Sequence, residues 1–240
     1  MSDALARHSD SDRATPDLAA WDGDTERDCG FETGTLSQRG ISYLGRDKNQ
    51  AIWTKDGGAV MCEDEALAAS IVSVIDEHSG DDYAALVGRL ETVIGERVPG
   101  VSCRIDMGMY CREPRADVPG ELSATVEIRC RGAAGVPDLP ESVEHVFLIR
   151  DGPKIASWAS NIPVLQVGDH WLHSVGVGTD PGYRRRGYGK AVVTALAKHV
   201  ADEGGATMWV CEANNVASFR LARSIGYIEH DWVLNWKAPG

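Results

Sequence analysis

One segment limits the possible folds of this chain more than any other: Val175-Gly176-Val177-Gly178-Thr179-Asp180-Pro181-Gly182-Tyr183-Arg184-Arg185-Arg186-Gly187-Tyr188-Gly189-Lys190-Ala191. Its apolar start predicts a strand, Asp180-Pro181-Gly182 a turn, and the run Gly187 to Glu203, with Val192, Leu196 and Val200 on one face, a helix. A strand that feeds a helix through a glycine-rich turn belongs to a mixed α/β fold. The turn also has a chemistry of its own. A helix start presents unpaired N–H groups and the positive end of the macrodipole, which together favour an anion. Gly187 and Gly189 let phosphates approach the backbone, and Arg184, Arg185 and Arg186 attract them; Tyr188 and Lys190 belong to the same turn.

Two phosphate-binding patterns come close without fitting. Gly182 and Gly187 have P-loop spacing, but Tyr188 stands where that motif needs Lys, and Lys190 comes too late. Gly187-Tyr188-Gly189 could open a dinucleotide fingerprint, yet Val192 replaces the third glycine.

The rest of the chain supplies more of both elements. Ala51–Lys55 and Ala59–Cys62 around Asp56-Gly57-Gly58 predict a hairpin, and organised sequence begins near Ile41. Leu67, Ile71, Val74, Ile75 and His78, capped by Asp64, predict a helix; Tyr83, Leu86, Val87, Leu90, Val93 and Ile94 predict a second, its antiparallel neighbour. Strands are expected at Val101–Arg112, Glu121–Arg131, Val143–Arg150, Lys154–Asn161, Asp169–Gly178, Thr207–Glu212 and Tyr227–Lys237, with a short helix at Val216–Ile225. Gly176 and Gly178 within a strand suggest a bulge or a close backbone approach.

Read together, Arg184, Gly187 and Gly189 resemble the pyrophosphate loop of the GNAT superfamily of acyl-CoA N-acyltransferases, which reads Arg or Gln, two residues, Gly, one residue, Gly or Ala. Asn215, Ser218, Leu221, Ile225, Gly226 and Tyr227 resemble that family's helix ending in a Gly-aromatic pair, and the resemblance covers roughly residues 143–237. It implies an α/β GNAT-like domain at 139–240. Outside the match, residues 39–138 read as an additional N-terminal α/β part expected to shape the acceptor pocket, and residues 1–38, polar, acidic and without apolar periodicity, as a disordered tail. The reaction implied is transfer of an acetyl or short acyl group from acetyl-CoA to a primary amine, by direct attack in a ternary complex. Val175 and Val177 would then offer backbone groups to the pantetheine arm, and Asn215 and Ser218 would lie near the CoA thiol. The family's usual proton-donating tyrosine falls at Ala222, so this chain departs from the pattern there. His173 is the candidate base, sharing strand parity with Val175 and Val177, with His170 and Glu144 behind it. The alternatives are an acyl-CoA-binding or sensor module without turnover, and a nucleotide-dependent oxidoreductase using the same loop.

Charge and cysteine usage narrow the partners. A net charge of −12 argues against a nucleic-acid binder and mildly favours a cationic acceptor, a small molecule or a peptide amine. Half of that charge lies in residues 1–36, where nine acidic residues face three arginines. The six cysteines form no C-x-x-C pair, so no metal is expected and a reduced, cytoplasmic protein is; no apolar run of 18 residues suggests a membrane span. A homodimer is left open.

Overall fold

In the hairpin of β2 (Gln50–Thr54) and β3 (Gly57–Cys62), the Thr54 hydroxyl accepts from the N–H groups of Asp56 and Gly57, at 3.1 and 3.2 Å, which closes the turn. The computed structural model describes residues 40–45, 49–115, 117, 120–123, 125–130, 143, 145–167 and 170–239. The expected acidic tail, the boundary stretch at 132–140 and Glu144 lie outside the described residues. β1 (Gly40–Gly45) runs parallel to β3.

After β3 come the two expected helices. Asp64 caps α1 (Glu65–Asp76) by accepting from the Leu67 N–H at 3.0 Å, and Asp82 caps α2 (Tyr83–Gly95) by accepting from Ala85 at 3.1 Å. Each buries one stripe, Leu67, Ala68, Ile71, Val74 and Ile75 on the first and Tyr83, Leu86, Leu90 and Ile94 on the second. β4 (Ser102–Cys111) follows. The expected strand at Glu121–Arg131 is corrected to a helical turn, α3 (Gly120–Ser123), and a short β5 (Glu127–Cys130). The Thr125 hydroxyl and N–H both bond to the Leu122 carbonyl, at 2.8 and 3.0 Å, so local side-chain bonding ends the turn and delays the strand.

β6 (His145–Asp151) and β7 (Lys154–Val167) form a hairpin, and β8 (His170–Thr179) pairs with β7. β7 runs six residues past the expected Asn161. It carries Pro163, and the register with β8 shifts between Pro163 and Leu165, as a residue without an N–H in a ladder requires. Of the two expectations for Gly176 and Gly178, a bulge or a close backbone approach, the bulge is on the partner strand. Pairing of β8 with β7 is continuous from Ser174 to Thr179, and the two glycines serve a close approach. A Cβ on Gly178 would sit 2.3 Å from the Trp158 indole nitrogen, and one on Gly176 would sit 3.6 Å from the same ring.

α4 (Tyr188–Asp202), β9 (Ala206–Glu212), α5 (Val216–Ile225) and β10 (Ile228–Lys237) complete the chain. The strands form one mixed sheet in the order β1-β3-β2-β10-β4-β9-β8-β7-β6-β5. β4, from the N-terminal part, lies between β9 and β10 and is antiparallel to both. α1, α2, α4 and α5 bury their stripes in one apolar cluster with Met107 and Met109 of β4, Trp209 and Cys211 of β9, and Phe147 of β6. Because strand side chains alternate, Tyr110, Leu172, Ala206, Val146 and Leu148 occupy the opposite face. No helix among the described residues is long and apolar enough to cross a membrane, and Cys62, Cys103, Cys111 and Cys211 are free thiols.

Candidate active site

The turn after β8 is bound tightly to its surroundings. The Asp180 N–H donates to the Ala156 carbonyl at 3.0 Å, and its carboxylate accepts from the Gly182 N–H at 2.9 Å to start the 3-10 turn Pro181–Tyr183. Lys154 reaches Asp180 at 3.1 Å and holds its carboxyl below the ordinary carboxylate range, with the Gly182 N–H adding to the effect. The Tyr183 hydroxyl donates to Asp151 at 2.8 Å, while the Lys154 ammonium and the Arg186 guanidinium lie 5.2 and 5.4 Å from the Tyr183 ring. The β6–β7 hairpin thus braces the loop.

Beyond that brace the backbone turns twice into the left-handed region, at Arg185 (φ 63°) and at Gly187 (φ 81°). Gly187 is the N-cap of α4 and has no side chain to offer, so no side-chain oxygen caps this helix start. Arg184, Arg185 and Arg186 are exposed around it; Arg184 makes one long contact, Nε to the Thr179 carbonyl at 3.4 Å. The Tyr188 ring stacks on Tyr183 with centroids 6.1 Å apart, and Lys190 is half-buried in the first turn. At Gly189 a Cβ would meet Thr179 Oγ1 at 3.1 Å and Leu221 at 3.6 Å, so the absence of a side chain lets α4 start directly against the end of β8. Together the uncapped helix start, the cationic rim and the bare backbone form an anion cradle.

Next to the cradle the sheet divides. β8 and β9 pair in parallel over only three positions, Leu172, His173 and Ser174 with Ala206, Thr207 and Met208. Past those pairs the two strands share no register, and a fork opens between Val175–Thr179 and Trp209–Glu212. Val175 and Val177 are half-buried on the helical face, along one side of the fork. On the other side, the first turn of α5 lies over Trp209 and Cys211. Asn215 caps α5 by accepting from the Ser218 N–H at 3.2 Å, and the Trp209 indole donates to the Ser218 hydroxyl at 3.0 Å. Asn215 and Ser218, far from the cradle in sequence, are thus brought to the mouth of the same fork.

His173 sits at the closed end of the fork, paired across the sheet with Pro163 and Thr207. Its Nδ1 lies 2.8 Å from the Asn161 side-chain nitrogen. His170 opens β8, opposite Val167. Ala222 is fully buried. Tyr227, the aromatic after Gly226, is committed elsewhere: its hydroxyl donates to Thr207 Oγ1 at 2.8 Å, and burial drives its ionisation far above the ordinary range. The residues missed by sequence reading are Trp209 and Cys211. Their shared strand parity in Thr207–Glu212 was legible, but the hydroxyl they meet lies on another element. A separate cavity of about 470 Å³, lined by Trp53, His78, Tyr83, Arg223, Glu229 and Trp232 among others, lies beside β2 and β10.

Residues 124–227 match the family model described as acetyltransferase (GNAT) family. Among solved structures, the chain is similar to a protein from Novosphingobium aromaticivorans assigned to the GNAT family, at 19% identity and a TM-score of 0.44 over 59% of this chain and 69% of that one. It is similar to an acetyltransferase of the GNAT family from Colwellia psychrerythraea, at 15% identity and 0.44 over 62% and 61%. A Salmonella typhimurium protein named as an acetyltransferase, solved with its cofactor acetyl-CoA, aligns at 16% identity and 0.33 over 39% and 64%. This chain therefore spans between 61% and 69% of the lengths of these relatives. A search of curated proteins gives no match. The match to the acetyltransferase (GNAT) family thus lies within residues 124–227, less than half of the chain.

Proposed function

We propose that the chain transfers an acetyl or other short acyl group from acyl-CoA to a primary amine, by direct attack of the amine on the thioester in a ternary complex. The observation that carries the reading is the fork between β8 and β9 opening beside the uncapped start of α4, inside the family-matched segment. The CoA pyrophosphate would lie in the cradle, on the backbone N–H groups of Tyr188, Gly189 and Lys190, with Arg184, Arg185 and Arg186 at its edge. From Thr179 to Val175 the fork is about 13 Å deep at 3.3 Å per residue, a length an extended pantetheine arm can follow. Val175 and Val177 would pair their backbone with the arm, and an N–H there would meet the thioester oxygen as negative charge develops on it. His173, or a water it holds, would take the proton of the amine. An amine carrying further positive charge suits the protein's net charge of −12.

Thermal shift against CoA, acetyl-CoA, NAD and ATP tests the site, and turnover of acetyl-CoA with a panel of primary amines tests the reaction. Stabilisation by CoA and acetyl-CoA with amine-dependent release of free thiol is the expected result. Stabilisation by NAD alone overturns the site assignment. Tight acetyl-CoA binding without turnover on any amine favours the sensor reading, for which Ala222 at the usual acid position is the specific support.

A further inference from the structure

The cavity beside β2 and β10 takes no part in the proposed acyl transfer. β4 and β9 stand between β10 and the fork, about 10 Å of sheet. At about 470 Å³ it falls within the range of about 300–1,000 Å³ usual for small-molecule sites. The turn of the β2–β3 hairpin, the α1–α2 connection, the last turn of α5 and the start of β10 close around it, so most of its wall comes from residues before the family match. The wall is aromatic, and several of its polar groups are already committed. The Trp53 and Trp232 rings lie nearly parallel, with centroids 6.2 Å apart. The Trp232 indole donates to the Tyr83 hydroxyl at 3.0 Å, and that hydroxyl donates to Glu229 at 3.1 Å. Arg223 closes the chain, donating from Nε to Glu229 at 2.8 Å and from Nη1 to Asp81 at 2.9 Å. The groups left over are mostly acidic. Among the described residues Asp56, Asp76 and Lys55 have no side-chain partner, which leaves two carboxylates against one ammonium. Asp76 is also the last residue of α1, at the negative end of the helix dipole, where a cation is favoured. His78 in the same wall carries a ring nitrogen, Nε2, that is buried without a hydrogen-bond partner, an unsatisfied group of the kind a ligand N–H completes.

We propose that this cavity binds a small organic ammonium ion, with its charge and N–H toward Asp76 and His78 and its apolar body against Trp53 and Trp232. An anion of the same size would meet two uncompensated carboxylates, and a neutral body would leave them unanswered. The site shares no residue with the cradle or the fork, so an amine bound here is held apart from the thioester.

The test is calorimetric titration of the full chain with N,N-dimethylbenzylamine, which is protonated at neutral pH and carries one N–H. Its tertiary nitrogen forms no stable amide, so binding is read apart from turnover. Saturable binding is expected, weaker by about threefold for benzyltrimethylammonium, which lacks the N–H, and by about tenfold for benzyl alcohol, which lacks the charge. Asp76→Asn should weaken the amine by about three- to tenfold and leave benzyl alcohol unchanged. Trp53→Leu should weaken all three ligands; because Trp53 is buried, the exposed Asp76 carries the test if that variant does not fold. Absence of saturable amine binding, benzyl alcohol binding as tightly as the amine, or an amine affinity unchanged in Asp76→Asn overturns the proposal. A chain that binds the amine in this pattern but not acetyl-CoA refutes the proposed function and leaves this site standing.

Discussion

Gly187→Val puts the cradle under the most direct strain. Gly187 stands at φ 81°, and the nearest atom to an added Cβ is a Leu122 methyl at 3.4 Å, an ordinary contact. Space is therefore not the obstacle; the backbone is. A Cβ-bearing residue held in the left-handed region costs about 1–2 kcal/mol. For a chain of this size that corresponds to a fall in melting temperature of about 2–8 °C. If the loop keeps its shape, valine methyl groups stand among the N–H groups meant for the phosphates. If it relaxes to negative φ, those N–H groups turn away. Either way acetyl-CoA affinity should fall by at least about tenfold, the loss of one charge-assisted hydrogen bond or more. Gly80→Val is the control, because Gly80 also has positive φ (91°), has nothing within 4 Å of an added Cβ, and lies in the α1–α2 connection. It should lose similar stability and keep its affinity. Calorimetric titration with acetyl-CoA, with melting curves on the same samples, measures both. Wild-type affinity in a folded Gly187→Val would refute the cradle, and equal affinity losses in the two variants would reduce the effect to general destabilisation.

Stability should fall on the alkaline side through buried acids. Burial pushes the Cys111 and Cys103 thiols up to about 12 and the Tyr83 hydroxyl further still, with Glu229 adding to the last. A folded-state value above the unfolded one leaves stability intact below the unfolded value, near pH 8.5 for a thiol, and erodes it as pH rises toward the folded value, because only the unfolded chain has released its proton. Melting temperatures should hold near neutral pH and drop progressively above about pH 9; a flat profile to pH 10.5 would contradict the burial of these groups. A chain beginning at residue 139 should not fold, since it loses β4, Met107 and Met109; soluble 139–240 with full CoA affinity would show that β4 is dispensable.

Local signals served the sequence reading well where one short stretch decided the outcome. Asp64 was visible as a cap because capping is a contact within three residues, and both apolar stripes were visible because helical period is local. The cradle was legible for the same reason: Gly187, Gly189 and three arginines are contiguous. Glu121–Arg131 was misread because β-branched content cannot show that Thr125 will bond back to Leu122. For the glycines of β8 a bulge and a close backbone approach were both open, and the choice between them could not be read because the residue they accommodate, Trp158, lies on another strand. The hydroxyl of Ser218 could be placed near the thiol only by resemblance, and its indole partner could not be seen at all, because a helix–strand hydrogen bond leaves no spacing in the sequence.

The position of β4 shows what is lost when a chain is divided by pattern alone. Composition changes near residues 132–140, and the family match begins at residue 124, so the N-terminal α/β part looks like an addition to a finished domain. In the sheet, β4 occupies a central place: it pairs with β9 from Asp106 to Cys111 and with β10 from Ser102 to Tyr110. Without it, both neighbouring strands would present bare edges to a gap one strand wide, and Met107 and Met109 would leave a hole in the apolar cluster on the face where α2 packs against β4. One wall of the fork is β9, and β9 is held in place by β4 along the edge opposite the fork. A strand from outside the matched segment therefore holds the fork open, and the N-terminal part acts on the site first through the sheet.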